Sequence, residues 1–200
     1  LASTTGTPLG FIEWDSVARG LAAADAMLKA AVVAPVVMRP VTPGRYFAVV
    51  SGDVEAVRAS VAAGVLRGGD SVIDQLVLPA PFPGIFPAVG GRTGALRLSA
   101  VGVIETLTLC TLFAAVDAAA KTGDVRVHDV RLAMGLGGKA FAILSGEVAH
   151  VEAAIVAAGA LAASRGALLA TSIIPNPDSV LVASLTETST PFSDLVFDSP

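Results

Sequence analysis

The sequence predicts an α+β chain made of two tandem copies of one β-α-β-β-α-β unit, on three observations. First, residues 9–31 align without a gap on residues 101–123, at an offset of 92, with eight of 23 positions identical. Gly10, Ile12, Glu13, Ala22, Ala23, Asp25, Ala26 and Lys29 recur as Gly102, Ile104, Glu105, Ala114, Ala115, Asp117, Ala118 and Lys121. Second, GRYFAVVSGDV at 44–54 matches GKAFAILSGEV at 138–148, and Pro79 aligns with Pro175, so the offset drifts to 94 and then 96 through two short insertions. Third, short Val-, Leu- and Ile-rich strands and two helical runs recur in the same order in both halves. Separated blocks in constant order are hard to obtain by chance, and they predict two domains, 9–92 and 99–193. The linker is placed near Gly90, Gly91 and Arg92.

The elements of the first copy follow in order. Residues 9–14 are a short apolar strand. Ser16 is an N-cap residue, and 17–31 has helical apolar spacing and mostly good helix formers. Residues 32–38 are a Val-rich strand that Pro35 marks as an edge or irregular. A turn at 41–44 leads to a strand at 45–51. Gly52 and Asp53 turn the chain, and Asp53 caps a second helix to about Leu66. A fourth strand, 72–78, ends at Pro79, and the Pro-rich stretch after it has room for one helical turn. In the second copy the strands are 101–105, 125–133, 140–145 and 167–174, and the helices 109–121 and 148–164. This order gives a four-stranded sheet with two helices on one face. The other face must be covered by a neighbour or left exposed by design. The helix at 148–164 is so poor in charge that it is expected to be mostly buried.

Composition narrows the function. Hydrophobic residues are 54% and charged residues 15%, so the chain can bury a real core. So little charge points to surface buried against other subunits, or to a general preference for Ala. The net charge is −4 and no basic cluster forms, which argues against nucleic-acid binding. The longest uncharged run, residues 75–91, is interrupted by Pro79, Pro81, Pro83 and Pro87, so no membrane span is expected. No secretory signal is visible in residues 1–8. The single cysteine, Cys110, forms no internal disulfide or cysteine metal cluster.

No catalytic set assembles. His128 and His150 lie in different elements, without Cys, Asp or Glu at ligand spacing, and read as surface or interface histidines. Cys110 reads as a small packing residue. Gly135 to Lys139 faintly resembles a phosphate loop, but it lacks the Ser or Thr after Lys and joins two strands. Glu13 and Glu105 would form a paired-carboxylate site only if the copies brought them together. Otherwise each accepts a backbone hydrogen bond or pairs with a basic group. Lys29 and Lys121 each follow an aspartate, Asp25 and Asp117, by four residues, in the favourable orientation for a helical ion pair.

The motifs carry a resemblance. PLGFIE at 8–13, ADAMLKAA at 24–31, Gly44-Arg45 and SGDVEAV at 51–57, with the second-copy counterparts VGVIE at 101–105, AVDAAAK at 115–121, GGKAF at 137–141 and SGEVAHV at 145–151, resemble the bacterial microcompartment shell domain. Nearly the whole chain is covered, and it looks like a tandem-domain, trimer-forming, unpermuted member. The resemblance implies two ferredoxin-like domains per chain and a homotrimer that mimics a hexamer. Such trimers tile the shell facet with other hexameric and pentameric shell proteins, inside the cytoplasm, and some stack in pairs. A central pore passes metabolites. By position it is lined by Val41, Thr42 and Pro43 and by Gly135, Leu136 and Gly137, narrowest at Thr42 and Leu136. The family's edge lysine falls on Lys29 and Lys121. An Arg commonly found between two prolines at the tile edge is absent here, where Pro79-Ala80-Pro81 and Pro175-Asn176-Pro177 stand. Some tandem relatives hold an iron–sulfur cluster on a pore-loop cysteine. Neither loop has one, so no cofactor is expected. Arg39, Arg45, Arg131 and Lys139 flank the loops and, if they reach the pore mouth, would favour anions. The competing readings are a tandem ferredoxin-like regulatory or small-molecule-binding protein, and an enzyme on the same fold.

Overall fold

A computed structural model describes residues 6–85, 99–132 and 136–186. The first unit runs β1 (Leu9–Trp14), α1 (Val17–Ala30), β2 (Ala34–Val41), β3 (Arg45–Ser51), α2 (Val54–Gly68) and β4 (Val72–Leu78). The second runs β5 (Ala100–Thr106), α3 (Leu109–Thr122), β6 (Arg126–Leu132), β7 (Ala140–Gly146), α4 (Val148–Ser164) and β8 (Leu168–Pro175), followed by α5 (Ser179–Thr186). The sheets are antiparallel, ordered β2-β3-β1-β4 and β6-β7-β5-β8, so the duplication extends to topology. Helix α5 has no counterpart in the expectation from sequence. No helix among the described residues is long and apolar enough to cross a membrane.

Local signals explain most boundaries. The Ser16 hydroxyl accepts from Arg19 N–H at the start of α1, and Thr108 does the same for Thr111 N–H at the start of α3. Asp53 occupies the N-cap position of α2, yet its side chain makes no capping bond, unlike the expectation. β2 begins and ends later than its Val-rich run predicts. Antiparallel pairing of Arg39, Pro40 and Val41 with Phe47, Tyr46 and Arg45 prolongs it, while Pro35 sits at an edge-strand irregularity. The two recurring strand glycines mark close packing of helix on sheet. A Cβ on Gly10 would lie 2.6 Å from Val61 Cγ2, and one on Gly102 would lie 2.7 Å from Ile155 Cγ1.

Alternation splits β1 into two faces. Ile12 and Trp14 pack under α1 and α2 with Met27, Val57 and Val61. Leu9, Phe11 and Glu13 point to the opposite face. That face is covered by the second domain: Phe11, Phe47, Val49 and Leu9 share one core with Leu109, Cys110, Leu112 and Phe113 of α3. Helix α3 therefore lies between its own sheet and the first domain's sheet, and is buried from Leu109 through Asp117 and again at Ala119. Its counterpart α1 buries only Gly20, Ala23, Ala24 and Met27. Helix α4 departs from expectation. It buries one face only, and Val156 is 67% exposed, because low charge alone does not identify what covers a helix.

Candidate pore loops and the junction between the domains

The β2–β3 loop is a tight turn, and residues 136–139 before β7 form another. Gly44 N–H donates to Val41 O at 3.0 Å, and Lys139 N–H to Leu136 O at 3.2 Å. Gly44, Gly137 and Gly138 have φ of +88°, +62° and +89°, conformations that glycine adopts without a Cβ penalty. The Thr42–Pro43 peptide is cis. Val41 is buried, Thr42 and Leu136 are half-buried, and Pro43 and Gly137 are exposed. Gly135 lies outside the described residues. The two loops meet: Pro43 Cδ would stand 3.0 Å from a Cβ on Gly138.

Arg45 joins them. Its Nη1 donates to Glu13 Oε1 at 2.7 Å, to Gly138 O at 3.3 Å and to Leu107 O at 3.5 Å. Glu13 is fully buried, and its other oxygen accepts from Leu109 N–H at 2.9 Å, at the N-terminus of α3. A carboxylate there meets an unsatisfied donor and the positive end of the helix dipole. Burial nevertheless holds the Glu13 carboxyl above its ordinary value, with the Leu109 N–H and Arg45 opposing. Arg131 pairs with Asp129, so neither it nor Arg45 adds net positive charge beside its loop. Arg45 follows a loop in sequence, but Glu13 and the second domain hold it.

A second cluster binds the domains. Asp74 Oδ2 accepts from the hydroxyls of Thr108 at 2.5 Å and Thr111 at 2.8 Å. Asp74 Oδ1 accepts from Arg165 Nη2 at 2.6 Å, and the same Nη2 donates to Gln75 O at 2.7 Å. On the same junction, Phe113 stacks on Phe11 at 4.8 Å and on Phe47 at 6.1 Å between ring centroids. Sequence reasoning missed Asp74, Arg165 and the aromatic stack. Their one signal was a difference between copies: Asp74 sits opposite Glu13 in the sheet, where Ala170 sits opposite Glu105.

The remaining candidates are placed as follows. Lys29 and Lys121 reach Asp25 and Asp117 at 2.6 Å, as their spacing predicted. Lys121 also donates to Ala80 O at 2.6 Å, and Asp117 accepts from Phe82 N–H at 2.7 Å, tying the Pro79-Ala80-Pro81 segment to α3. Glu13 and Glu105 lie on separate sheets, and Glu13 makes the backbone bond and basic pair foreseen for it. Cys110 is buried, and desolvation pushes its thiol well above the usual range. His128 is buried with Nε2 2.6 Å from Ser145 Oγ. Among the described residues no group of His, Cys, Asp and Glu could hold a metal ion.

Comparison with known proteins agrees with this architecture. The BMC domain model matches twice, at residues 8–81 and 100–177. The chain is 36% identical over 169 residues to the bacterial microcompartment shell protein PduT of Citrobacter freundii, covering 84% of this chain and 92% of that one. It is 32% identical over 183 residues to the carboxysome assembly protein CcmO of a Synechocystis strain, covering 84% of this chain and 60% of that one. A solved microcompartment protein from Desulfitobacterium hafniense superposes with a TM-score of 0.76 at 43% identity, covering 88% of this chain and 98% of that one. The fused permuted shell protein MSM0275 of the RMM microcompartment shares the fold, with a TM-score of 0.60 at 23% identity over 79% of this chain and 82% of that one. The chain belongs to the BMC-domain family and is a tandem-domain shell protein of bacterial microcompartments.

Proposed function

We propose that three copies of this chain close into a ring of six domains, which occupies a hexagonal place in the shell facet beside other hexameric and pentameric shell proteins. One observation carries the reading. The outer face of the first sheet is closed by α3 of the same chain, whereas α1 and the outer face of the second sheet keep the equivalent residues open. Leu21 is 53% exposed and Leu28 40%, and Val103, Glu105 and Phe141 are half-buried. Head-to-tail repetition of the contact inside the chain covers both, and a contact of that kind either closes into a ring or grows open-ended.

In this ring the domains span 9–92 and 99–193. Val41, Thr42 and Pro43 alternate with Gly135, Leu136 and Gly137 around a central pore for metabolites, and contact between Pro43 and Gly138 supports placing both loops on one rim. The lining is uncharged, and the Glu13–Arg45 and Asp129–Arg131 pairs leave two flanking arginines neutralised. Lys29 and Lys121 are assigned to the tile edge. Both are exposed, and Lys121 is anchored on Ala80 where relatives commonly carry an arginine. A second ring stacked face to face suits the Ala-rich outer face of α4, where Val156 is 67% exposed. The role is structural rather than catalytic, and the family match disfavours the regulatory-protein alternative. Native mass spectrometry of the purified chain tests the stoichiometry: three copies are expected, and a single copy at micromolar concentration would contradict the ring.

A further inference from the structure

Strand register and caps place each residue of the junction inside the chain opposite a counterpart in the other copy. Glu13 and Arg45 correspond to Glu105 and Lys139, and Phe11, Phe47 and Phe113 to Val103, Phe141 and Leu21. The N-caps Thr108 and Ser16 correspond, so Thr111 corresponds to Arg19. The C-caps of α4 and α2 are Arg165 and Gly69. Asp74 corresponds to Ala170. Thus the acidic and basic residue types are retained, the aromatic stack is reduced, and the carboxylate cluster has lost its acceptor and one of its donors.

We propose that the ring has two chemically unequal junctions, which rests on the trimer reading above. Inside each chain the Asp74 cluster and the Phe113 stack hold the domains. Between chains, α1 of one copy seats Leu21 against Val103 and Phe141 of the next, and Glu105 of that next copy caps the incoming helix as Glu13 caps α3. Glu13 has a helix N-terminal N–H from the other domain as partner, whereas among the described residues no helix N–H meets Glu105, so this half-site is incomplete in one chain and α1 of a second copy supplies the donor. Arg19 then arrives where Thr111 meets Asp74 and finds Ala170, without a carboxylate. Charge-assisted bonds such as Arg165 to Asp74 are about twice as strong as neutral ones. The ring therefore parts between chains while each chain keeps its two domains docked.

The consequence is reversible by design. Ala170 is exposed in the single chain, so Ala170→Asp disturbs no packing there and restores an acceptor opposite Arg19. Sedimentation velocity in a low-urea series would follow dissociation of wild type, Leu21→Glu, Ala170→Asp and the double variant Arg19→Ala/Ala170→Asp, with far-ultraviolet circular dichroism reporting the fold. Wild type is expected to sediment as three chains and to release folded single chains. Leu21→Glu should sediment as folded single chains throughout. Ala170→Asp should lower the dissociation midpoint concentration at least about tenfold, the equivalent of one charge-assisted bond, and the double variant should lose that gain. Trimeric Leu21→Glu, or Ala170→Asp no tighter than wild type, would overturn the junction while leaving the trimer intact. Wild type sedimenting as single chains at every concentration would overturn both.

Discussion

Phe113→Ala tests how much of this chain's stability lies between its domains rather than within them. Phe113 is 1% exposed and stacks on two rings of the other domain, Phe11 and Phe47. Truncating a buried Phe costs about 3–5 kcal/mol in lost transfer energy and residual cavity. Each aromatic pair adds about 0.5–1.5 kcal/mol beyond area burial. The cavity walls are sheet strands held by ladder hydrogen bonds on both sides, so little collapse is available and the cost should fall near the upper end, about 4–5 kcal/mol. A typical domain holds only about 5–15 kcal/mol in total. For a chain of this size about 2–4 °C accompany each kcal/mol, so the melting midpoint should fall by roughly 10–15 °C. Urea unfolding of a monomeric background such as Leu21→Glu would measure it without interference from assembly. The counterpart Leu21→Ala, compared with wild type at concentrations where both are single chains, should cost less than about 1 kcal/mol, since the side chain is half in water. A loss below about 1 kcal/mol for Phe113→Ala would refute the view that the aromatic stack holds the domains together.

Two further outcomes follow from buried titratable groups. Burial raises the Glu13 carboxyl above its ordinary value of 4.5, so the folded chain keeps this proton to higher pH than the unfolded chain does. Its contribution is present in full below 4.5 and is lost as pH rises through the raised native value. The stability of wild type relative to Glu13→Gln should therefore increase as pH is lowered from 7 toward 4.5, and a constant difference across parallel urea titrations would contradict this. Cys110, buried and with its thiol pushed up, should resist an aromatic disulfide reagent in the native chain and react fully in urea. Rapid native labelling would show that α3 separates readily from the first sheet.

Local structure was legible in the sequence because its determinants are local. β1, β3, β4 and α4 have the residue bounds that alternation, turn residues and helical runs indicated. Recurrence of Gly10 as Gly102 carried real information, since at both places a helix approaches too closely for a Cβ. What lay between elements was not legible. Phe11, Phe47 and Phe113 are 36 and 66 residues apart along the chain, and only packing of one sheet on another domain's helix brings them together. Arg45 reads in the sequence only as a residue flanking the loop at Gly44, whereas a buried carboxylate 32 residues earlier holds it. Charge poverty in α4 did not reveal which face would be covered, because α3 was the helix that the neighbouring domain enclosed. The pore loops could be located by the resemblance alone, and their contact through Pro43 and Gly138 depends on the docking of the domains.

The measurement that bears most directly on the central claim is negative-stain electron microscopy of the purified chain, with averaged top and side views. The account predicts flat hexagonal discs with a central depression, and side views will distinguish one layer from two. Isolated single chains, or open arcs without six-fold outline, would contradict it.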